Sequence, residues 1–340
     1  AGAQNQLALA NAFAGLGTEL HTSCDIESGA AQVELTEQNA EAGLKLLAAV
    51  VSKPTFAAAD FERVRDQAIA RAKERQADPA LVADTLAHAL VYGSEHPYGH
   101  DGAGTADSLS KLSSTKVKAF WSTYAAPKNA VLILAGAITV EQAKALAQKA
   151  FGAWSGFGKA PKAPTEPAPR AALTIASVDV PGAQQTALRV ERAGLAVTDA
   201  DLPAMMVLNA VLGGTFSSRL NMKLREEKQW TFGASSEHAE LLGRGPWQLK
   251  SEVQADAAAS AVIETLAVLD GIRSGVTDDE LTRAKDGFIR SLPGALGTPT
   301  DQAIALGRGY ARGLEPMHEA KLAEAVRAVT ADDVKRVAER

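Results

Sequence analysis

Apolar positions recur every three to four residues along most of this chain and alternate every second residue in only a few short runs. Residues 5–16 (NQLALANAFAGL) read as the end of an amphipathic helix stopped at Gly17. Two alternating runs follow, GTELHTSCD and GAAQVELTE, with Ser28-Gly29 as the turn between two strands. A helix is expected over 38–52, with Leu44, Leu46, Leu47 and Val50 inward and Pro54 as its stop. A long helix runs over 58–76, capped near Asp60, and another over Pro79–Tyr92. Past the glycine-rich loop SEHPYGHDGAG the pattern predicts helices over 114–125 and 139–151. Between them the apolar run Ala130–Ile138 (AVLILAGAI) suits a strand at a sheet centre.

Residues 158–170 (GKAPKAPTEPAPR) carry Pro161, Pro164, Pro167 and Pro169 on a small-residue background, the pattern of a semi-rigid extended linker. They divide the chain into 1–157 and 171–340. The second part reads as strands at Leu173–Val180 and Thr186–Glu191, a helix at Leu202–Leu212 and a strand at Trp247–Val253. Helices follow at Ala257–Ser274, Asp278–Ser291, Asp301–Gly313 and from Ala331. Strands precede long helices in both parts, which predicts an α+β fold: two sandwich domains, each a mainly antiparallel sheet with helices on one face.

The two parts resemble each other. A shift of 220 residues lays Phe61–Gly93 on Leu281–Gly313 without a gap. Arg63/Arg283, Asp66/Asp286, Ile69/Ile289, Pro79/Pro299, Ala83/Ala303, Leu86/Leu306 and Gly93/Gly313 then coincide. LSSTKVKAF at Leu112 likewise resembles VTADDVKRV at Val329.

Composition narrows the function classes. A formal charge of −5, with no clustered lysines or arginines, gives no footprint for nucleic acid. The single cysteine, Cys24, rules out an internal disulfide and a cysteine metal site, and nothing near it would activate a thiol. No apolar run approaches the roughly 20 residues that span a bilayer, and no signal peptide opens the chain. Bacterial cytoplasm and periplasm both remain open.

The most informative stretch is Gly213–Ala234, GGTFSSRLNMKLREEKQWTFGA. The two glycines suggest a turn with positive φ, and Ser217 or Ser218 a cap. Leu220 and Leu224 are inward, leaving Arg219, Lys223 and Arg225–Lys228 on wetter faces, before an aromatic-rich strand at Trp230, Thr231 and Phe232. This stretch resembles the start of the C-terminal domain in the pitrilysin and mitochondrial-processing-peptidase family of metallopeptidases: a glycine turn, F-S-S-R-L, L-R-E-E-K and a Tyr-containing strand. The resemblance implies tandem homologous domains joined by a linker. In active members it also implies a zinc site built from H-x-x-E-H on one helix and a glutamate downstream.

This chain departs from that pattern where the chemistry lies. It contains no H-x-x-E-H, and its first residues look like the stretch that follows that helix, so the resemblance places the opening strands and the motif helix ahead of residue 1. Such a first domain would present an uncovered sheet edge, expected to be covered by that segment or by a partner chain. The family's downstream helix carries two glutamates seven apart. Here it reads ERVRDQAIAR, with Val64 and Arg71 at those positions. A guanidinium about 4 Å from Zn²⁺ would be disfavoured by on the order of 8 kcal/mol at an effective dielectric near 20, and it has no lone pair to donate.

The resemblance further implies a substrate-binding arginine and tyrosine from the second domain. Arg225 falls on the arginine. Phe232 stands at the tyrosine position without a hydroxyl, and Trp230 lies two residues earlier. The loop His96-Pro-Tyr-Gly-His100 reads as structural, because Pro97 and Gly99 preclude the helix that a metal-binding histidine pair needs. Together these residues predict no catalytic residue and no metal in this chain, with Arg225, Phe232 and Trp230 facing substrate. The expected partner is a homologous, zinc-bearing subunit, the pair forming a chamber for unfolded peptides. The alternatives are a structural subunit like the core proteins of a respiratory complex, or an active zinc peptidase whose motif precedes residue 1.

Overall fold

A computed structural model describes residues 5–169 and 172–340; Arg170, the end of the proline-rich stretch, and Ala171 lie outside the described residues. Helix α1 (Gln6–Ala14) opens it, with the Asn5 side chain accepting from the Ala8 amide at 2.9 Å. Strands β1 (His21–Cys24) and β2 (Gly29–Gln32) pair antiparallel. Asp25 closes their turn by accepting from the Glu27 and Ser28 amides. Helices α2 (Ala40–Ser52), α3 (Ala58–Gln76) and α4 (Pro79–Tyr92) follow, then α5 (Ala106–Ser110), α6 (Ser114–Tyr124) and α7 (Val140–Phe151). Beyond the linker come β3 (Gln185–Ala193) and α8 (Leu202–Asn209). Two π-helical stretches, Ala210–Gly214 and Asn221–Glu227, lead to β4 (Thr231–His238) and β5 (Pro246–Gln254). Last are α9 (Ala258–Ile272), α10 (Asp278–Ala295), α11 (Pro299–Ala311), α12 (His318–Ala328) and α13 (Ala331–Glu339).

The chain forms two compact units, and neither is contiguous. One comprises 1–73, 102–162 and 296–313; the other comprises 74–101, 163–295 and 314–340. The crossing at Lys162 lies inside the proline-rich stretch. The remaining crossings carry α4 into the second unit and α11 into the first. These two helices are counterparts under the 220-residue shift. They begin at Pro79 and Pro299, after caps from Asp78 and Thr298, and each precedes a glycine with positive φ, Gly93 at 83° and Gly313 at 66°. Helices α3 and α10 keep the same spacing, starting at Ala58 and Asp278.

In the first unit Phe13, Leu44, Leu47 and Ala48 are buried, and the Trp121 indole donates to the Val51 carbonyl at 3.1 Å. Ala130–Ile138 was expected as a sheet-centre strand. It instead has no paired strand among the described residues, bends at Gly136 and Ala137, and leaves Val131 exposed. β-propensity expresses fit to a neighbouring strand, so the sequence alone does not make one.

In the second unit the strand order is β3-β5-β4, all antiparallel. One face, with Val190, Trp247, Leu249 and Val253, packs into a core shared with Val207, Leu212, Leu220, Leu224, Ala261, Val326 and Val334. Residues of the opposite parity make a polar face, and α4 lies on it at β3. The Arg189 side chain, 6% exposed, donates to Asp84 at 2.6 Å and Glu252 at 3.0 Å. Nearby, His88 meets Glu191 at 2.7 Å, and the Gln248 amide donates to the same carboxylate. Leu173–Val180, expected as a strand, is unpaired among the described residues, with Leu173 and Ile175 exposed. Helix α12 was not anticipated, although Leu322 and Val326 repeat at helical spacing.

Candidate functional site

The segment Gly213–Ala234 is built by contacts across its own length. Gly213 does not take positive φ as its sequence suggested. It is part of the first π-helical stretch, and a Cβ there would stand 2.4 Å from the Ser236 amide nitrogen, so glycine is required by the close approach of β4. Ser218 does not cap a helix; its hydroxyl accepts from the Asn221 side chain at 3.3 Å. Asn221 also donates to the Thr215 carbonyl at 3.1 Å, while its oxygen accepts from the Ala234 amide at 3.0 Å. With Asn209 donating to the Ser236 carbonyl, these side chains occupy main-chain groups of β4 that face away from β5.

Arg219, expected on a wetter face, is a structural tie. Its guanidinium makes two 2.7 Å bonds to Glu280 and a third at 3.0 Å to the Gly275 carbonyl. Glu280 also accepts from the Thr277 amide, completing a reciprocal cap at the start of α10. The Arg219 hydrogen bond is the largest cause that holds the Glu280 carboxyl down at about 2. Downstream, Lys223 and Lys228 share Glu227 and Glu264. Hydrogen bonds from Lys223 and Lys228 lower the Glu227 pKa, and those to Glu264 and Glu227 raise that of Lys228.

Arg225 differs from both lysines. Its guanidinium carbon lies 4.5 Å from the centroid of the Phe216 ring, itself 63% exposed. Its Nε is 3.5 Å from Glu226, and its side chain makes no hydrogen bond among the described residues. Phe232 is 90% exposed. Trp230 is half-buried, packed against the core with the Lys228 ammonium 5.7 Å from its ring. The left-handed φ of Gln229 (56°) and the irregular register between Thr231 and Ala234 set the entry of this strand. Arg225 and Phe232 are therefore the more open of the three side chains singled out from the sequence. Phe216, which that reading passed over, is the ring stacked on Arg225; an exposed aromatic ahead of S-S-R-L was the available signal.

Val64 and Arg71 lie two turns apart on α3, both exposed. Neither offers a donor atom to a cation, and no group of three or more His, Cys, Asp or Glu side chains is gathered for a metal among the described residues. The donor set of this chain does not fit a zinc site of the kind the resemblance implies. His96 is occupied elsewhere: it is buried, its Nδ1 accepts from the Tyr98 amide at 3.0 Å and its Nε2 donates to the Thr165 carbonyl at 2.8 Å. The loop it opens is held by Tyr92 and Tyr98, whose hydroxyls bond the Arg244 carbonyl and the Gly243 amide. Cys24 is exposed, and among the described residues no helix is long and apolar enough to cross a membrane.

The α+β scaffold agrees with the family that the sequence resemblance named. The family model described as the peptidase M16 inactive domain matches residues 111–288, just over half of the chain, and the chain belongs to that family. It is 25% identical over 292 residues to an uncharacterized zinc protease, YmxG, of Bacillus subtilis, covering 84% of this chain and 68% of that protein. A peptidase M16 inactive domain from Pseudomonas fluorescens shares its fold with a TM-score of 0.89 at 27% identity, over 98% of this chain and 80% of the other. A protease from Helicobacter pylori has the same fold, with a TM-score of 0.89 at 19% identity over 99% and 82%.

Proposed function

We propose that this chain is the non-catalytic half of a two-part zinc metallopeptidase. A homologous partner bearing H-x-x-E-H holds the zinc, and this chain supplies the chamber wall and a peptide-binding side carrying Arg225 and Phe232. The observation that carries the reading is the pair Val64 and Arg71, exposed on α3, which the sequence resemblance sets at the two glutamate positions of the family's downstream helix. The open Arg225 fork supports the other half of it, since guanidinium donors suit the carbonyls of an unfolded peptide.

The experiment is to produce the chain alone and together with an H-x-x-E-H-bearing homologue. The pair is expected to copurify and to cleave unfolded peptides in a chelator-sensitive way. Arg225→Gln in this chain should lower kcat/KM of the pair about tenfold or more, the scale of losing a preset donor. Copurification without cleavage would support a structural subunit instead. Cleavage by this chain alone would make it the catalytic half.

A further inference from the structure

We propose that the outward face of α9 is a self-association surface, which pairs antiparallel with the same helix of a second copy of this chain. Helix α9 buries Ala261, Thr265 and Ile272 in the second unit. Its opposite face, with Ala259, Ile263, Leu266 and Ala267, is exposed, Ile263 at 68%. Among the described residues, the exposed positions of α9 carry a single charged side chain, Asp270. Helix α10 of the same unit covers its outer face differently, with the exposed pairs Asp279–Arg283 and Asp286–Arg290. A helix that is apolar on both faces is ordinarily a buried one. Met222, 48% exposed, extends the apolar surface beside Val268 and Gly271.

The spacing along this face says what covers it. Asp256, Ala259, Ile263, Leu266, Asp270 and Arg273 follow one another at alternating steps of three and four, the seam of a helix pair. Turned about a two-fold axis midway between Ile263 and Leu266, the seam meets itself. Ile263 then faces Leu266 of the second copy, and Asp256 faces Arg273. Both charged side chains are exposed, and Arg273 has Asp270 of its own helix no closer than 3.6 Å. A parallel pair would set Asp256 on Asp256 and Arg273 on Arg273, so charge selects the antiparallel one. Ser260, Ala267 and Gly271 flank the seam and let the two helices approach closely. Asp256, Asp270, Glu226 and Glu227 border the face and disfavour an anionic lipid surface. Fifteen helical residues give a contact about 22 Å long. One helix pair of that length is at the low end of specific interfaces, so the dimer is reversible.

The test is sedimentation velocity of the full chain by itself, from low-micromolar to near-millimolar concentration. A monomer–dimer equilibrium is expected. Ile263→Asp should weaken it at least tenfold, and the uncharged Ile263→Ser should act in the same direction, with circular dichroism showing both variants folded. Asp256→Arg and Arg273→Asp should each weaken it about fivefold, because symmetry repeats the altered pair at both ends. The double variant should recover the dimer. It places the unfavourable charge at both ends of the α9 dipole, so recovery comes from contact between copies and not from a firmer helix. Phe120→Asp, on a similarly exposed ring of the first unit, leaves the equilibrium unchanged.

A chain that stays monomeric throughout, or a dimer that Ile263→Asp does not weaken, overturns the proposal. Loss of the dimer in Ile263→Asp without recovery in the double variant overturns the antiparallel pairing. Flotation with phosphatidylcholine vesicles, abolished by Ile263→Asp and seen in place of a dimer, gives the face to lipid and overturns it as well. No peptide or zinc-bearing partner is present in these measurements, so each failure leaves the function proposed above standing.

Discussion

Arg219 and Arg225 belong to one short segment and use their charge in opposite ways. Arg219 is mostly buried and held bidentate by Glu280, so removing either partner leaves the other's charge without its ion pair. Glu280→Ala should cost on the order of 2 kcal/mol in urea unfolding. The folded Glu280 carboxyl titrates at about 2 against an ordinary 4.5, so its depressed value stabilises the fold at neutral pH. That stabilisation falls away as pH drops from about 4.5 towards 2. The stability difference between wild type and Glu280→Gln should shrink across the same window, and a difference constant with pH would contradict the assignment. Gly213 is constrained as tightly. Gly213→Ala forces a methyl against the Ser236 amide and should cost about 2 kcal/mol or more, seen as a lowered Tm; an unchanged Tm would show that β4 can shift aside.

Helix α4 shows how an element can be legible in sequence while its place in the fold is not. Asp78, Pro79 and Gly93 mark its ends within a few residues of chain, so its span was readable. Its docking on β3 was not, because Arg189 and Glu191 lie more than a hundred residues away. Asp84→Ala leaves the buried Arg189 with Glu252 as its one carboxylate partner among the described residues and should cost about 2 kcal/mol. Amide exchange across α4 should quicken more than across α9, and equal protection in the two helices would contradict the docking contact. Helices α7, α11 and α13 were read from apolar periodicity, and the structure adds reciprocal caps at Thr139, Thr298 and Thr330, with α11 starting at Pro299 rather than Asp301. Ala130–Ile138 and Leu173–Val180 have strand-forming sequences without strand neighbours, and pairing is a non-local property that no single run encodes. The same limit explains Gly213, whose need for glycine comes from β4, and Arg219, whose partner is on α10.

At the scale of the whole chain, the two units exchange equivalent helices, α4 and α11, at positions that repeat every 220 residues. A duplicated domain that traded one helix in each direction accounts for the repeat and the crossings together. It also explains why a proline-rich stretch at 158–170 did not delimit the units by itself. The sequence resemblance sets Val64 and Arg71 where active relatives carry glutamates, and the proposed function adds peptide contact at Arg225. The account rests on that division: peptide contact here, metal elsewhere. The most direct measurement is the zinc content of the isolated chain after incubation with excess Zn²⁺ and desalting, read by elemental mass spectrometry beside a peptide-cleavage assay of the same sample. The account predicts far less than one zinc per chain and no chelator-sensitive cleavage. One zinc per chain with cleavage that chelation abolishes would contradict it.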